Sequence, residues 1–319
     1  MSLCLVVTEK SIPDVHSIVD CYAGMADLFE IRADYLEESA LEELETIKTR
    51  HPSKKLIFTV RKQVDGGMWA GPEALRESLY ERALDAGFDY IDLELGFLPR
   101  VKRRGKTSII RSHHDFAGVP SDIEALFEKA GADGEELPKL SVMLKDIDDA
   151  LRFMGWLEAL KRKEPRGKII TAMGRRGLFS RILGGRIGTT HTYFSAPGKS
   201  IVPGMIDLRQ ALEVYKIRSI DEHTRIFGLI EGSAAADRGR FPALAAGAHL
   251  PGNGIGVPFV VESETELAVY RNFFKIEKFF SFGNDEPAAA DGFSLRRSAG
   301  KDASYPRPRL GSPALPAGR

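Results

Sequence analysis

The feature that most constrains this chain is an alternation. Over residues 1–217, apolar runs of strand length take turns with amphipathic stretches of helix length. The runs lie at 3–7, 27–32, 56–61, 90–95, 108–113, 139–144, 168–173 and, more weakly, 200–206. Helical patterns fall at 37–49, 73–86, 120–130 and 146–162. In the last, Ile147, Ala150, Leu151, Met154, Leu157 and Leu160 recur at helical spacing. Strands separated by helices pair in parallel. Eight such repeats predict an α/β fold of the (β/α)8 TIM-barrel type, with an open doubly wound sheet as the alternative.

Ionisable residues interrupt these strands. Glu30, Arg32, Arg61, Asp92, Glu94, His113, His114 and Lys139 lie in or just after strand cores. A charge inside a parallel strand is costly unless paired. Five strands carrying such groups predict a polar pocket at the C-terminal mouth of the barrel, where the strands end.

Past residue 217 the rhythm breaks. Residues 225–230 and 257–261 read as strands and 262–280 as a helix, forming a small degenerate α/β appendage over 218–285. From 286 to 319 the chain is dominated by Ala, Pro, Gly, Ser and Arg, which predicts a disordered tail. Gly252-Asn-Gly-Ile-Gly256 lacks the spacing of a dinucleotide fingerprint.

Composition narrows the function. Lys+Arg and Asp+Glu both number 45, a balance that argues against a nucleic-acid partner or a polybasic membrane surface. No apolar run approaches the roughly 20 residues of a membrane span, and the N-terminus carries no signal-peptide pattern. Cys4 and Cys21 form no ligand or redox motif, so reduced thiols in the cytoplasm and no metal are expected.

Four constellations carry chemistry. Ser112-His-His-Asp-Phe116 ends a strand and offers a base near neutrality, or a histidine that serves only its neighbours. Lys139 sits in an apolar strand, where a desolvated amine can attack a carbonyl; it could also snorkel to solvent. Glu30 and Arg32 share a strand face and, with Arg61, form either an anion clamp or a structural ion pair. Glycines around Met173-Gly-Arg-Arg-Gly and Ser180-Arg181 allow close backbone approach, and Arg181 suits a carboxylate.

Read together, the chain resembles the type I 3-dehydroquinate dehydratases. The resemblance rests on Glu-Ile-Arg-Ala-Asp, Phe-Thr-Val-Arg, Tyr-Ile-Asp-Leu-Glu, Ser-His-His-Asp-Phe, Pro-Lys-Leu-Ser-Val-Met, Ala-Met-Gly…Ser-Arg and Pro-Gly-Met-Ile-Asp-Leu-Arg, in family order across 1–217. It implies a barrel, commonly a homodimer, that acts on the small molecule 3-dehydroquinate in the shikimate pathway without cofactor. Lys139 would form the imine and His114 move the proton. Asp65 would orient His114. Glu30, Arg32, Arg61 and Arg181 would bind substrate, with Ser200 and Met205 on the loop at the eighth strand.

Two departures matter. Asp65 stands where the family has Glu. On the eighth-strand loop, Ser195-Ala-Pro-Gly-Lys199 and Ile201-Val-Pro-Gly-Met205 compete for the family's Ser-Ala-Pro-Gly-Gln; the second has the family's distance to the following helix. Residues 218–285 resemble the start of a shikimate dehydrogenase, truncated or decayed, without its serine pair, its lysine or a nucleotide fingerprint. The competing functions are another class I Schiff-base lyase and a non-catalytic metabolite-binding barrel.

Overall fold

The structure, a computed structural model, describes residues 1–97, 105–134, 136–163, 167–231, 250, 252–282 and 287–289. Eight barrel strands are β1 Ser2–Val7, β2 Leu28–Arg32, β3 Lys55–Thr59, β4 Tyr90–Glu94, β5 Ser108–Asp115, β6 Leu137–Met143, β7 Ile169–Met173 and β8 His191–Ser195. They form one parallel sheet in the order β7-β6-β5-β4-β3-β2-β1-β8. At the β7–β8 seam the Thr190 N–H donates to the Lys168 carbonyl at 2.7 Å, which brings the barrel near closure.

The helices are α1 Ile12–Tyr22, α2 Glu38–Leu41, α3 Glu45–Arg50, α4 Glu73–Asp85, α5 Ile123–Ala130, α6 Ile147–Lys163, α7 Leu178–Ile182, α8 Gly184–Ile187 and α9 Leu208–Glu213. The pattern at 37–49 is thus two short helices, not one. Two apolar layers result. Alternate strand residues such as Phe29, Phe58 and Val142 pack outward against helices. Cys4, Val6, Leu28, Ile57, Ile110, Ile169 and Tyr193 fill the barrel interior.

The eighth strand corrects the sequence reading. It lies at His191–Ser195, not at 200–206. Pro203 has no N–H to give a ladder, and Gly204 turns with φ 77°. The Pro203 carbonyl instead accepts from Gly174 N at 2.9 Å. A Cβ on Gly204 would collide with the Gly174 carbonyl, so this glycine lets the eighth-strand loop dock on the end of β7.

A second sheet follows, with β9 Ile226–Glu231, β10 Ile255–Val260, α10 Glu264–Phe274, β11 Ile276–Phe282 and β12 Pro287–Ala289 in the order β10-β9-β11-β12. The stretch 262–280 is therefore a helix and then a strand. Lys275 takes a left-handed φ of 58°, which ends α10 before the apolar run of β11 pairs with β9. Pro287–Ala289 pairs antiparallel with Phe280–Phe282. The rest of the expected tail, residues 286 and 290–319, lies outside the described residues.

This unit packs on the barrel beside β7. Phe179 of α7 is fully buried and stacks on Phe259, with ring centroids 5.7 Å apart, and also meets Tyr270 and Phe274. Arg176 bonds Glu266 at 2.5 Å and Glu262 at 2.7 Å. Arg181 lies two residues beyond Phe179 on the same helix. Phe179→Ala should cost about 3–5 kcal/mol, the usual range for emptying such a site, measured by urea denaturation. A loss under 1 kcal/mol would show that this interface holds nothing in place.

Candidate active site

Alternation on each strand decides which side chains enter the barrel. On β2, Glu30 and Arg32 point inward; on β4, Asp92 and Glu94; on β5, Ser112 and His114. On β6 it is Lys139 and Ser141. Neighbouring registers place Ser112 beside Lys139 and Thr59 beside Asp92. His114 lines the mouth pocket and His113 does not, as period two requires.

Asp92 is the hub. It is fully buried, accepts from Lys139 Nζ at 2.7 Å through Oδ2, and accepts from Arg61 at 2.8 Å and Ser112 Oγ at 2.6 Å through Oδ1. Glu30 Oε1 lies 3.6 Å from Lys139 Nζ and accepts from Thr59 Oγ1. Arg61 also faces Glu94 at 3.5 Å, and Glu94 in turn pairs with Arg76, a fully buried side chain of α4. Arg32 grips Asp34 bidentately at 2.7 and 2.8 Å. Four carboxylates (Glu30, Asp34, Asp92, Glu94) thus meet four cations (Arg32, Arg61, Arg76, Lys139).

Arg181 stands outside this balance. It is 2 % exposed and lines the pocket. Its guanidinium donates to the Tyr193 carbonyl at 2.8 Å, while Nε has no partner among the described residues. Burial alone lowers its pKa to about 10. Every other cation lining the pocket has a carboxylate within 3.6 Å. An unbalanced buried cation favours an anionic ligand.

The remaining electrostatics follow from the hub. Burial would raise the Asp92 carboxyl, but Arg61, Lys139 and His114 hold it well below the usual carboxylate range. Burial, then the charges of Arg61 and Lys139, push the His114 imidazole well below its usual value. His114 is therefore a neutral imidazole near pH 7, able to take a proton. Its Nδ1 has no partner among the described residues.

The expected residues do not all arrive together. Lys139, His114, Glu30, Arg32, Arg61, Arg181, Asp65 and Met205 share one pocket wall. Asp65 sits on a one-turn helix, and no hydrogen bond joins it to His114 among the described residues. Ser200 is not in the pocket. It is exposed, and its hydroxyl donates within its own loop to the Val202 and Met205 carbonyls. Of the two loop registers, Ile201-Val-Pro-Gly-Met205 faces inward: Ile201 and Met205 pack against the barrel interior. Lys199 is on the surface, 3.4 Å from Glu9. The cavity beneath has a free volume of about 60 Å³. Sequence reasoning gave no role to Asp92 or Tyr193. Asp92 was visible as a charge inside a strand; Tyr193 was hidden by the misplaced eighth strand.

Fold and pocket define a class: a (β/α)8 barrel with a buried lysine, a neutral histidine and an anion-seeking arginine at its C-terminal mouth. The chain belongs to the type I 3-dehydroquinase family, whose model matches residues 3–222. It is 33% identical over 228 residues to the 3-dehydroquinate dehydratase of Methanocaldococcus jannaschii, covering 68% of this chain and 99% of that one. It is 30% identical over 248 residues to a chloroplastic bifunctional 3-dehydroquinate dehydratase/shikimate dehydrogenase of Arabidopsis thaliana, covering 75% of this chain but 40% of the relative. In fold it matches a type I 3-dehydroquinate dehydratase from Clostridium difficile (TM-score 0.59, 22% identity, 69% and 93% coverage). It also matches a dehydroquinate dehydratase and shikimate dehydrogenase from S. pombe (TM-score 0.60, 23% identity, 88% and 56% coverage).

The hub carries a stability prediction. Asp92→Asn leaves Lys139 and Arg61 without their shared countercharge, and should cost about 3–5 kcal/mol in urea denaturation. Asp92→Asn with Lys139→Met should recover part of that loss, because one of the two stranded charges is gone. Strictly additive losses would contradict the network.

Proposed function

We propose that this chain dehydrates 3-dehydroquinate to 3-dehydroshikimate through an imine on Lys139. The observation that carries the reading is the setting of Lys139: an amine at the base of the pocket, 2.7 Å from Asp92, in a wall shared with His114 and the unpaired Arg181. Substrate carboxylate would bind Arg181, and its hydroxyls Glu30, Arg32 and Arg61.

The steps follow from these positions. Lys139, after its ammonium gives up a proton, attacks the ketone carbon and water leaves. The cationic imine draws electrons and acidifies the adjacent C–H. Neutral His114 takes that proton, and the electron pair moves into the imine. His114 then returns the proton to the departing hydroxyl. Hydrolysis releases the enone and Lys139. The electron sink is the protein's own lysine, so the reading includes no cofactor. Ile201 and Met205 line the pocket and pack against the barrel interior, so their loop would shift as substrate enters. Met205 offers a weak thioether acceptor and no donor, which leaves Arg181 as the main anchor.

The homodimer and the cytoplasmic location belong to this proposal as well. Among the described residues no helix is long and apolar enough to cross a membrane. Residues 218–285 we assign as a remnant of the start of a shikimate dehydrogenase. The parallel β9 and β10 support this, as does the 88% coverage against the S. pombe chain, which runs past the barrel. NADP-dependent reduction of 3-dehydroshikimate by the chain would contradict a remnant without activity.

Steady-state assays of enone formation test the roles. Lys139→Ala should abolish turnover. His114→Ala should slow it about 10²–10⁴-fold, and His113→Ala far less. Because burial lowers the His114 pKa, the base stays neutral as pH falls through 6.5; the acid limb of kcat/KM should lie well below that value. Near-native turnover by Lys139→Ala would overturn the imine mechanism.

A further inference from the structure

Tyr193 is a pocket residue that none of these roles uses. It lies on β8, is 4 % exposed, and lines the cavity. Its hydroxyl is buried with no hydrogen-bond partner among the described residues. Its ring lies against the nucleophile, with Lys139 Nζ 4.2 Å from the ring centroid. Its carbonyl accepts from Arg181 at 2.8 Å. One residue therefore touches both the amine and the unpaired cation.

The hydroxyl is the informative part. Phenylalanine would offer Lys139 the same aromatic face with no polar atom to bury. A buried hydroxyl without a partner destabilises the free protein. Burial, with Cys4, Glu30 and Asp92 nearby, pushes the phenol well above its usual value, so it is a donor at neutral pH. Both Asp92 oxygens and Glu30 Oε1 already accept from Lys139, Arg61, Ser112 and Thr59, and the phenol bonds none of them among the described residues, so its acceptor is sought in what enters the pocket.

We propose that Tyr193 is a substrate-contacting residue: its hydroxyl donates a hydrogen bond to an oxygen of the bound hydroxy acid, and its ring face steadies the cationic nitrogen of Lys139 as ammonium and as protonated imine. The inference rests on the dehydratase reading and deepens it. A site with a buried donor discriminates strongly against ligands that lack the matching oxygen.

Tyr193→Phe and Tyr193→Leu separate the two parts. Tyr193→Phe keeps the ring and loses the donor. It should raise KM about tenfold with kcat changed less than threefold. It should also raise the Tm of the ligand-free protein by about 2 °C, because the unpaired hydroxyl is gone. A purely structural hydroxyl, paired to ordered water, would give the reverse: a lower Tm and an unchanged KM, and that result overturns the donor role. Tyr193→Leu should lower kcat at least tenfold below Tyr193→Phe; equal kcat values overturn the ring's role. A wild-type chain without turnover on 3-dehydroquinate would instead overturn the dehydratase reading and this inference with it, so the two failures are told apart by the parent's own rate.

Discussion

The contact between Lys139 Nζ and Asp92, 2.7 Å long and closed off from solvent, is the interaction on which the rest depends. An ammonium in a barrel interior is tolerable only beside a carboxylate, and a lone buried carboxylate is no better. Asp92 needs Arg61 as well, Arg61 draws in Glu94, and Glu94 reaches out to Arg76 on α4. The chain of pairs runs from the pocket to the outer helices. Each member fixes its neighbour's rotamer, so the amine is held where a carbonyl can meet it.

That network also explains the neutral histidine. Burial first, and then the field of the Arg61 and Lys139 charges with which it shares the pocket, disfavours a positive charge on His114. A base is obtained by burial and by the cations around it, not by a carboxylate of its own. Arg181 is the complement: a cation with no countercharge among the described residues, held by the Tyr193 carbonyl and by a helix whose Phe179 is buried in the C-terminal unit. The appended sheet thus supports the segment that presents the anion-binding group, although none of its described residues lines the pocket.

Much of this was legible in the sequence, for physical reasons. Seven strands could be placed because parallel strands are short apolar runs, and ionisable residues such as Glu30, Arg61 and Lys139 break those runs conspicuously. The pairing of Glu30 with Arg32 on one face followed from period two. Elsewhere, local pattern failed. The eighth strand, His191–Ser195, is brief and is followed by Ala-Pro-Gly, so the longer apolar run at 200–206 drew the assignment. Tyr193 was lost with it. Ser200 read as a pocket hydroxyl because it adjoins Ile201, yet the loop turns it toward its own carbonyls. The break at Lys275 depends on one left-handed residue that composition does not announce. Arg76 could not be recognised because its partner Glu94 is distant in sequence and meets it only in the folded barrel.

The central claim is that the buried amine of Lys139 is the nucleophile. The most direct test is borohydride reduction of the protein mixed with 3-dehydroquinate, followed by peptide mass analysis. The account predicts a reduced, substrate-derived adduct on the peptide containing Lys139, at Lys139 itself. Turnover of 3-dehydroquinate with Lys139 left unmodified under the same trapping conditions would contradict it.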